Sequence, residues 1–458
     1  MKIEEPYTVV GNPSVLSNGA GNDPTSKRAR LAVKARSNPK EQFTNLLHHV
    51  NYKLVEECLY KIPLKSASGV DGMKVGEARK NLNWLLPPLL EQIHKGQYEP
   101  PPVRRVYIPK TDGGKRPLGV PQVLDRAIQA ATAKVLNENY EQDFLKCSFG
   151  FRPKLGCHHA LATVNELLFK GGMNYALEVD IRDYFGSLKH EWLRKFLSLR
   201  IGDKRVLKLI ESWLKAGIME DNGWRESEDG TPQGGSISPL ISNVYLHYVL
   251  DLWFERKVKK QLRGRAQLVR YADDFVILFN ERADLDTVKT LLKARLEQFG
   301  LNIAEEKTHT TDLTIRPNQG SQDRRRMTFL GFSIFRSRTR DGRGTKVVFK
   351  TEGKRFTRAK LKLKERLHKI MHLSIAAQAA SINSFLVGHY NYYGVAGNLR
   401  RMHNLWHYSR RMWRRSLSQR SQKGRVNWDQ MVKHLNQHPL KTAKIKIPYV
   451  KLPSLVRL

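Results

Sequence analysis

Two adjacent acids, Asp273 and Asp274, stand between two strongly apolar runs, and this limits what the chain can fold into more than any other feature. Leu268–Tyr271 reads as a strand ending in acid, and Phe275–Phe279 as a buried strand leaving it. A lone Asp-Asp pair is ordinarily a solvated turn. At the tip of so apolar a hairpin, carboxylates are costly unless they are paired or metal-bound. A second predicted strand, Tyr175–Val179, also ends in acid, at Asp180. Aligning the two strand ends gathers carboxylates from separate strands around one point. Hard oxygen donors of this kind suit Mg²⁺.

The chain has 458 residues, enough for two to four domains, and 40% hydrophobic composition, enough for a sizeable core. No apolar run of 18 residues occurs, and the N-terminus has no signal-peptide pattern. The three cysteines, Cys58, Cys147 and Cys157, form no CxxC pair, which argues against a disulfide scaffold or a cysteine-rich zinc module. A cytoplasmic protein is expected. The formal net charge is +37. Self-repulsion at that level points to a polyanionic partner, nucleic acid, rather than to an ordinary solvated surface. From Arg336 to Leu458, 29 lysines and arginines face four acids, a net of +25 that leaves +12 for the first 335 residues. Charge alone does not separate RNA from DNA.

Residues 1–38 are rich in Gly, Asn, Ser and Pro and are expected to form a flexible leader. Within it, Lys27-Arg28-Ala29-Arg30 suits either phosphate contact or a solvated tail. Asn38-Pro39 reads as a helix cap with a first-turn proline, followed by Phe43, Leu46, Leu47, Val50 and Leu54 at helical spacing. Residues 100–335 mix strands and helices, an α+β organisation. Val103–Ile108 is a predicted strand, 110–115 a hairpin turn, and Ile237–Leu250 a helical stretch. Beyond 350 three amphipathic helices are predicted. Their stripes are Phe356, Ala359, Leu363, Leu367 and Ile370, then Ile382, Phe385, Leu386, Tyr390 and Tyr393, then Met402, Leu405, Trp406, Trp413 and Leu417. Three such helices can bury a small bundle core.

A glycine-rich segment, Gly230-Thr231-Pro232-Gln233-Gly234-Gly235, precedes a predicted helix between the two acidic strand ends, and lets backbone approach a ligand closely. In this order the three segments resemble the palm of reverse transcriptases. The likeness extends over roughly residues 41–440. It takes in Ser68–Gly72, Ile108–Pro121, Asp125–Gln129, Ser148–Pro153, Leu301–Thr308, Phe329–Phe332 and Gly388–Gly394. Together these resemble a group II intron-encoded reverse transcriptase–maturase of bacterial type.

The resemblance implies a right-hand polymerase fold, with fingers and palm over 39–340. An all-α thumb/maturase bundle over 350–424 and a short basic segment over 425–458, suited to DNA binding, would follow. It implies two Mg²⁺ ions, about 3.5–4 Å apart in such sites, held by Asp180, Asp273 and Asp274 with the Ile181 carbonyl. Lys110 and Arg116 match finger residues that hold the triphosphate, since two cations on a hairpin converge on phosphate. Gln233 matches the lining of the nucleotide pocket and Phe185 the aromatic gate beneath the sugar, though a plain core Phe looks the same in sequence. Lys307 matches a general acid toward pyrophosphate, with a surface lysine as its rival. Phe329, Leu330 and Gly331 match the primer grip, and Arg355, Arg358, Lys362 and Arg366 are the expected RNA-binding cations.

Gly186 departs from the family pattern, which usually has an acid there. This loosens the start of the following helix, with Ser187 left to cap it. Neither an H-N-H pattern nor the cysteine pairs of the family's endonuclease appear, so no cutting of duplex DNA is expected. The implied partners are group II intron RNA, an RNA template with a DNA primer, target DNA and dNTPs, with no membrane. A host-co-opted reverse transcriptase in DNA repair or phage defence is the nearest alternative. A splicing maturase with a vestigial polymerase is another, against which Lys110, Arg116, Gln233 and the acids speak.

Overall fold

The computed structural model describes residues 27–109, 114–220, 223–225, 229–231, 234–314, 324–339, 341–420 and 424–457. Its N-terminal part is helical: α1 (Lys27–Ser37), α2 (Tyr52–Lys61), α3 (Val75–Lys80) and α4 (Leu82–Lys95). β1 (Val103–Pro109) and β2 (Lys115–Val120) then pair antiparallel, with Pro109 opposite Lys115, as the predicted hairpin requires. The turn itself lies outside the described residues. α5 (Val123–Asp143) is buried nearly all round and packs against α1 and α2, with α6 (Cys157–Phe169) following.

Two sequence expectations change here. The last part of the stretch read as a flexible leader is helix α1, docked on α5, where the Arg36 Nε–H donates to Gln142 at 3.1 Å. Nor does a helix run from Asn38 to Leu54. Phe43, Leu46, Leu47, Val50 and Leu54 are all buried, but on an irregular path that becomes α2 only after Asn51 caps it. The amides that a helix would pair locally are taken from afar. Asp203 accepts from Leu46 and Leu47 at 2.9 and 3.1 Å, and the Arg200 carbonyl accepts from Phe43.

The middle of the chain supplies β3 (Tyr175–Val179), α7 (His190–Ser198), α8 (Lys204–Lys215), β4 (Ile218–Glu220), β5 (Gly223–Arg225) and α9 (Ser238–Leu246). Next come β6 (Ala266–Tyr271), β7 (Asp274–Phe279), α10 (Arg282–Gln298) and β8 (His309–Asp312). Beyond α9 the helix loosens into a π-helical turn, His247–Asp251. Among the described residues, one sheet runs β2-β1-β4-β5 and a second β6-β7-β3-β8. The second is antiparallel throughout and buried on both faces. Phe275, Ile277 and Phe279 face one core; Val276 and Leu278 face another, shared with α6. Side chains alternate along a strand, so double-sided burial is what makes 275–279 an unbroken apolar run.

A third sheet, β9 (Met327–Phe329), β10 (Phe332–Arg338) and β11 (Thr345–Thr351), follows. Its last strand crosses the boundary expected between 340 and 350, because β10 and β11 pair along their whole length. The three predicted helices appear as α11 (Gly353–Lys369), α12 (Ile375–Tyr393) and α13 (Leu399–Ser418). Phe356, Leu363, Leu367, Ile382, Leu386, Met402, Leu405 and Trp413 make their common core. Within it the Trp413 indole donates to the buried Gln378 at 2.9 Å. α14 (Trp428–Gln437) adds Met431 to that core. The chain then turns back: Ile447 bridges to Val395, and Leu452 reaches the core beneath β7. Among the described residues no helix is long and apolar enough to cross a membrane.

Candidate active site

β3 and β7 are antiparallel neighbours with Val179 opposite Phe275, so Asp180 and Asp274 leave the same end of the sheet. Tyr271 pairs with Asp274 across the β6–β7 turn, which leaves Ala272 and Asp273 at its tip. Ala272 has φ of 57°, a left-handed backbone that a side-chain-bearing residue rarely adopts. The side chain of Asp274 is reached by water but closely surrounded. Desolvation, then the charges of Asp273 and Asp180, push its carboxyl up to about 7, against the Leu330 amide and Arg355. The three aspartates therefore share one electrostatic environment.

Residues 301–308 lace onto the end of β3. The Ala304 amide donates to the Asp180 carbonyl, and Arg182 donates to Asn302, each at 2.8 Å. Ile181 lies between them, bridged to Ile303. This lacing brings the Lys307 ammonium to 3.8 Å from the Asp180 carboxylate.

The donor chemistry fits magnesium: hard oxygens whose mutual repulsion a cation relieves. Among the described residues no three His, Cys, Asp or Glu side chains are arranged to hold an ion unaided. That is compatible with Mg²⁺, which is commonly bound by one or two carboxylates and completed by water and substrate phosphate.

Phe185, five residues after Asp180, sits on a 3₁₀ turn, Tyr184–Gly186. Tyr184 is the core residue of the pair, its hydroxyl donating to the Ser242 carbonyl at 2.7 Å, while Phe185 is half-buried with its ring 5.3 Å from that of Tyr184. The glycine-rich segment rests on this turn. Thr231 donates its amide to the Phe185 carbonyl at 2.8 Å, and a Cβ on Gly230 would lie 2.8 Å from the same oxygen. Farther along, a Cβ on Gly234 would meet the Gly119 carbonyl of β2 at 2.4 Å. These two glycines, both at positive φ, allow close backbone approach to the Phe185 turn and to β2 respectively. Lys110 and Gln233 lie outside the described residues. The backbone of Arg116 pairs with Ile108, and its side chain is likewise outside the description.

Gly186 and Ser187 differ from expectation. Asp183 takes a left-handed conformation, and a Cβ at Gly186 would lie 2.3 Å from its carboxylate, so the glycine accommodates that turn. Ser187 does not cap the start of α7; its hydroxyl donates to the Asp183 carbonyl at 3.0 Å, closing the turn instead. α7 starts later, after Lys189.

Leu330 and Gly331 form the two-residue turn between β9 and β10, both at positive φ, the geometry of a tight type I′ hairpin. The Tyr392 hydroxyl, from α12, donates to the Leu330 carbonyl at 3.0 Å. Phe329 is buried beneath the turn. Of the four cations expected to bind RNA, Arg355 stands beside this turn, where its charge reaches Asp274. Arg366 donates to the Ser381 carbonyl at 3.1 Å and lies over the Phe385 ring, which makes it a packing residue between α11 and α12. Arg358 and Lys362 are partly exposed on α11.

Sequence reasoning missed what supports the site. Gln129 is buried on α5 and accepts from the Ser236 amide at 2.9 Å, fixing the glycine-rich segment from behind. Arg270 and Asp251 form a fully buried ion pair directly under the Ala272–Asp273 turn. Burial disfavours the charge on Arg270, and Asp251 more than restores it. The available signal was a charged residue inside an otherwise apolar strand.

The reverse transcriptase (RNA-dependent DNA polymerase) family matches residues 108–334, which include all three aspartates. Protein YkfC of Escherichia coli (strain K12) is 32% identical over 347 residues, 68% of this chain and 88% of that protein. The group II intron-encoded protein LtrA of Lactococcus lactis subsp. cremoris is 34% identical over 240 residues, 50% of this chain and 38% of that protein. The chain belongs to the group II intron reverse transcriptases. A protein of the cob intron of Schizosaccharomyces pombe is 35% identical over 232 residues, 50% of this chain and 27% of that protein. This reverse transcriptase thus spans less than half the length of these two intron relatives. The match implies a polymerase fold of fingers and palm, and the aspartate-bearing β6-β7-β3-β8 sheet lies wholly within the matched residues.

Proposed function

We propose that this reverse transcriptase extends a DNA primer with dNTPs on an RNA template, and also binds its intron RNA as a maturase that assists splicing and insertion at a target DNA. The observation that carries the polymerase reading is the convergence of Asp180 with Asp273 and Asp274 at one end of the palm sheet. Two magnesium ions bound by these carboxylates and the Ile181 carbonyl would activate the primer 3′-hydroxyl and neutralise the triphosphate. Lys110 and Arg116 hold the triphosphate, Gln233 lines the nucleotide pocket, and Phe185 excludes a ribose 2′-hydroxyl. Lys307, next to Asp180, protonates the leaving pyrophosphate. Leu330 and Gly331 grip the primer end, with Phe329 beneath them. The helices α11–α13 act as thumb and maturase surface, residues 425–458 contact target DNA, and the work is done in the bacterial cytoplasm.

The test is DNA synthesis on a primed RNA template. Asp273→Ala or Asp180→Ala should each lower the rate at least about 10³-fold, since each ~1.4 kcal/mol of lost transition-state stabilisation is tenfold. Binding and splicing of intron RNA should persist in Asp273→Ala. Extension within tenfold of wild type by either folded variant would overturn the active-site assignment.

A further inference from the structure

Asp273 sits at the tip of a turn whose preceding residue holds a conformation unfavourable to anything but glycine. The buried cation beneath it bonds to that residue's carbonyl. The Arg270 guanidinium has five N–H donors, and all five are used. Nε and Nη2 donate to the two oxygens of Asp251 at 2.8 and 2.5 Å. Nη1 donates to the Asn243 side-chain oxygen at 3.0 Å and to the Ala272 carbonyl at 3.1 Å. The second hydrogen of Nη2 goes to the Ser148 hydroxyl at 2.8 Å. The Ala272 carbonyl belongs to the peptide that joins Ala272 to Asp273, so one donor of a rigid planar group fixes the peptide plane from which the aspartate springs.

The other four bonds anchor the guanidinium to three separate elements. Asp251 comes from the π-helical turn, Asn243 from α9 and Ser148 from the segment before α6. That segment also presses on the turn directly. Phe149 donates its amide to the Arg270 carbonyl at 2.8 Å, and a Cβ on Gly150 would lie 2.3 Å from the Ala272 nitrogen. Asn243 closes the circuit by donating to the Gly150 carbonyl at 2.7 Å.

We propose that Arg270 is a positioning residue for catalysis, which sets the orientation of Asp273 through the Ala272 peptide and takes its own position from Asp251, Asn243 and Ser148. It touches neither substrate nor metal. Its effect is confined to how well the carboxylates bind the catalytic cation and align the reacting groups. The inference rests on the polymerase reading above.

The experiment compares wild type, Arg270→Lys and Ser148→Ala in three measurements: thermal unfolding, affinity for a primed RNA template, and single-turnover dNTP addition across a Mg²⁺ series. Lysine keeps the charge opposite Asp251 but has three donors in place of five, so at least two acceptors lose their partner. Arg270→Lys should add nucleotide at least tenfold more slowly at saturating dNTP and need several-fold more Mg²⁺ for half-maximal rate, with primer–template affinity within twofold. Ser148→Ala should shift the Mg²⁺ requirement in the same direction by more than twofold. Folded variants with wild-type rate and Mg²⁺ dependence would overturn the proposal, as would a rate loss matched by lost template affinity. If Arg270→Lys does not fold, the Mg²⁺ requirement of Ser148→Ala decides alone. Failure of the polymerase reading is separate: there, wild type itself makes no DNA.

Discussion

Phe185 and Tyr184 are neighbours on one turn with opposite duties. Tyr184 is locked into the core by its hydroxyl, whereas Phe185 is half-buried at that core's edge. Phe185→Ala should therefore cost little stability while admitting ribonucleotides, with discrimination between dNTP and rNTP falling about tenfold or more, as expected when a steric contact is deleted. Incorporation assays with both nucleotide types check this; unchanged discrimination would make Phe185 a packing residue only. Asp203 illustrates the opposite case, a residue with no part in the chemistry but much in the fold. Burial raises its pKa, and the Leu46 and Leu47 amides with Arg205 outweigh that, so the net shift is downward from 3.8. A carboxyl depressed on folding stabilises the native state above its unfolded value and loses that contribution as pH falls through the folded one. Asp203→Ala should destabilise by about 1–3 kcal/mol at neutral pH, because buried amides lose their acceptor. The gap between mutant and wild type in urea titrations should narrow below pH 3.8.

At the scale of elements, the palm was the most legible part of the sequence. β3, β6 and β7 fall where alternation and apolar runs put them, because a sheet buried on both faces writes its pattern into every residue. The three helices after 350 were legible for the same reason: their stripes are buried in one core. What sequence did not disclose depends on distant partners. Residues 38–51 have helical spacing, yet Asp203 and Arg200 draw their amides into another path. The turn holding Asp273 is bonded by Arg270, which is held in turn by Asp251, nineteen residues before Arg270 in a π-helical turn that no simple period announces. The link between α12 and the site was also invisible: Tyr392 reaches the Leu330 carbonyl, and the Leu330 amide faces Asp274. Tyr392→Phe removes that one hydroxyl. It should slow nucleotide addition several-fold while leaving primer–template affinity and the melting temperature nearly unchanged, which stopped-flow addition and equilibrium binding can separate. Equal rates for the two proteins would reduce Tyr392 to a member of the core.

For the whole molecule, charge is the governing quantity. A net +25 beyond residue 335, within a total of +37, is much more than folding requires. Replacing Arg355, Arg358 and Lys362 by Gln should weaken binding of intron RNA and flatten its dependence on salt. Each lost phosphate contact should lower the log–log slope by roughly 0.7–0.9. Arg366 is left out because its bond to Ser381 makes it a packing residue. A titration series in salt gives the slope, and an unchanged value would mean that these three cations make no contact with RNA phosphate. Glutamine retains helix propensity, so α11 should persist.

The return of the chain to the palm has a consequence for how the protein comes into being. Leu452 packs in the same core as Leu161, Leu168 and Val276, and the Arg457 amide donates to the Thr163 hydroxyl across 294 positions. A ribosome working from the N-terminus delivers one wall of that core early and the other very late. Until residues 452–457 emerge, the face of the palm that carries Val276 and Leu278 is short of its final cover, and apolar surface is open to solvent and to other nascent chains. Ribosomes halted upstream of Leu452 should therefore hold a polymerase whose fingers resist protease while its palm is still cut.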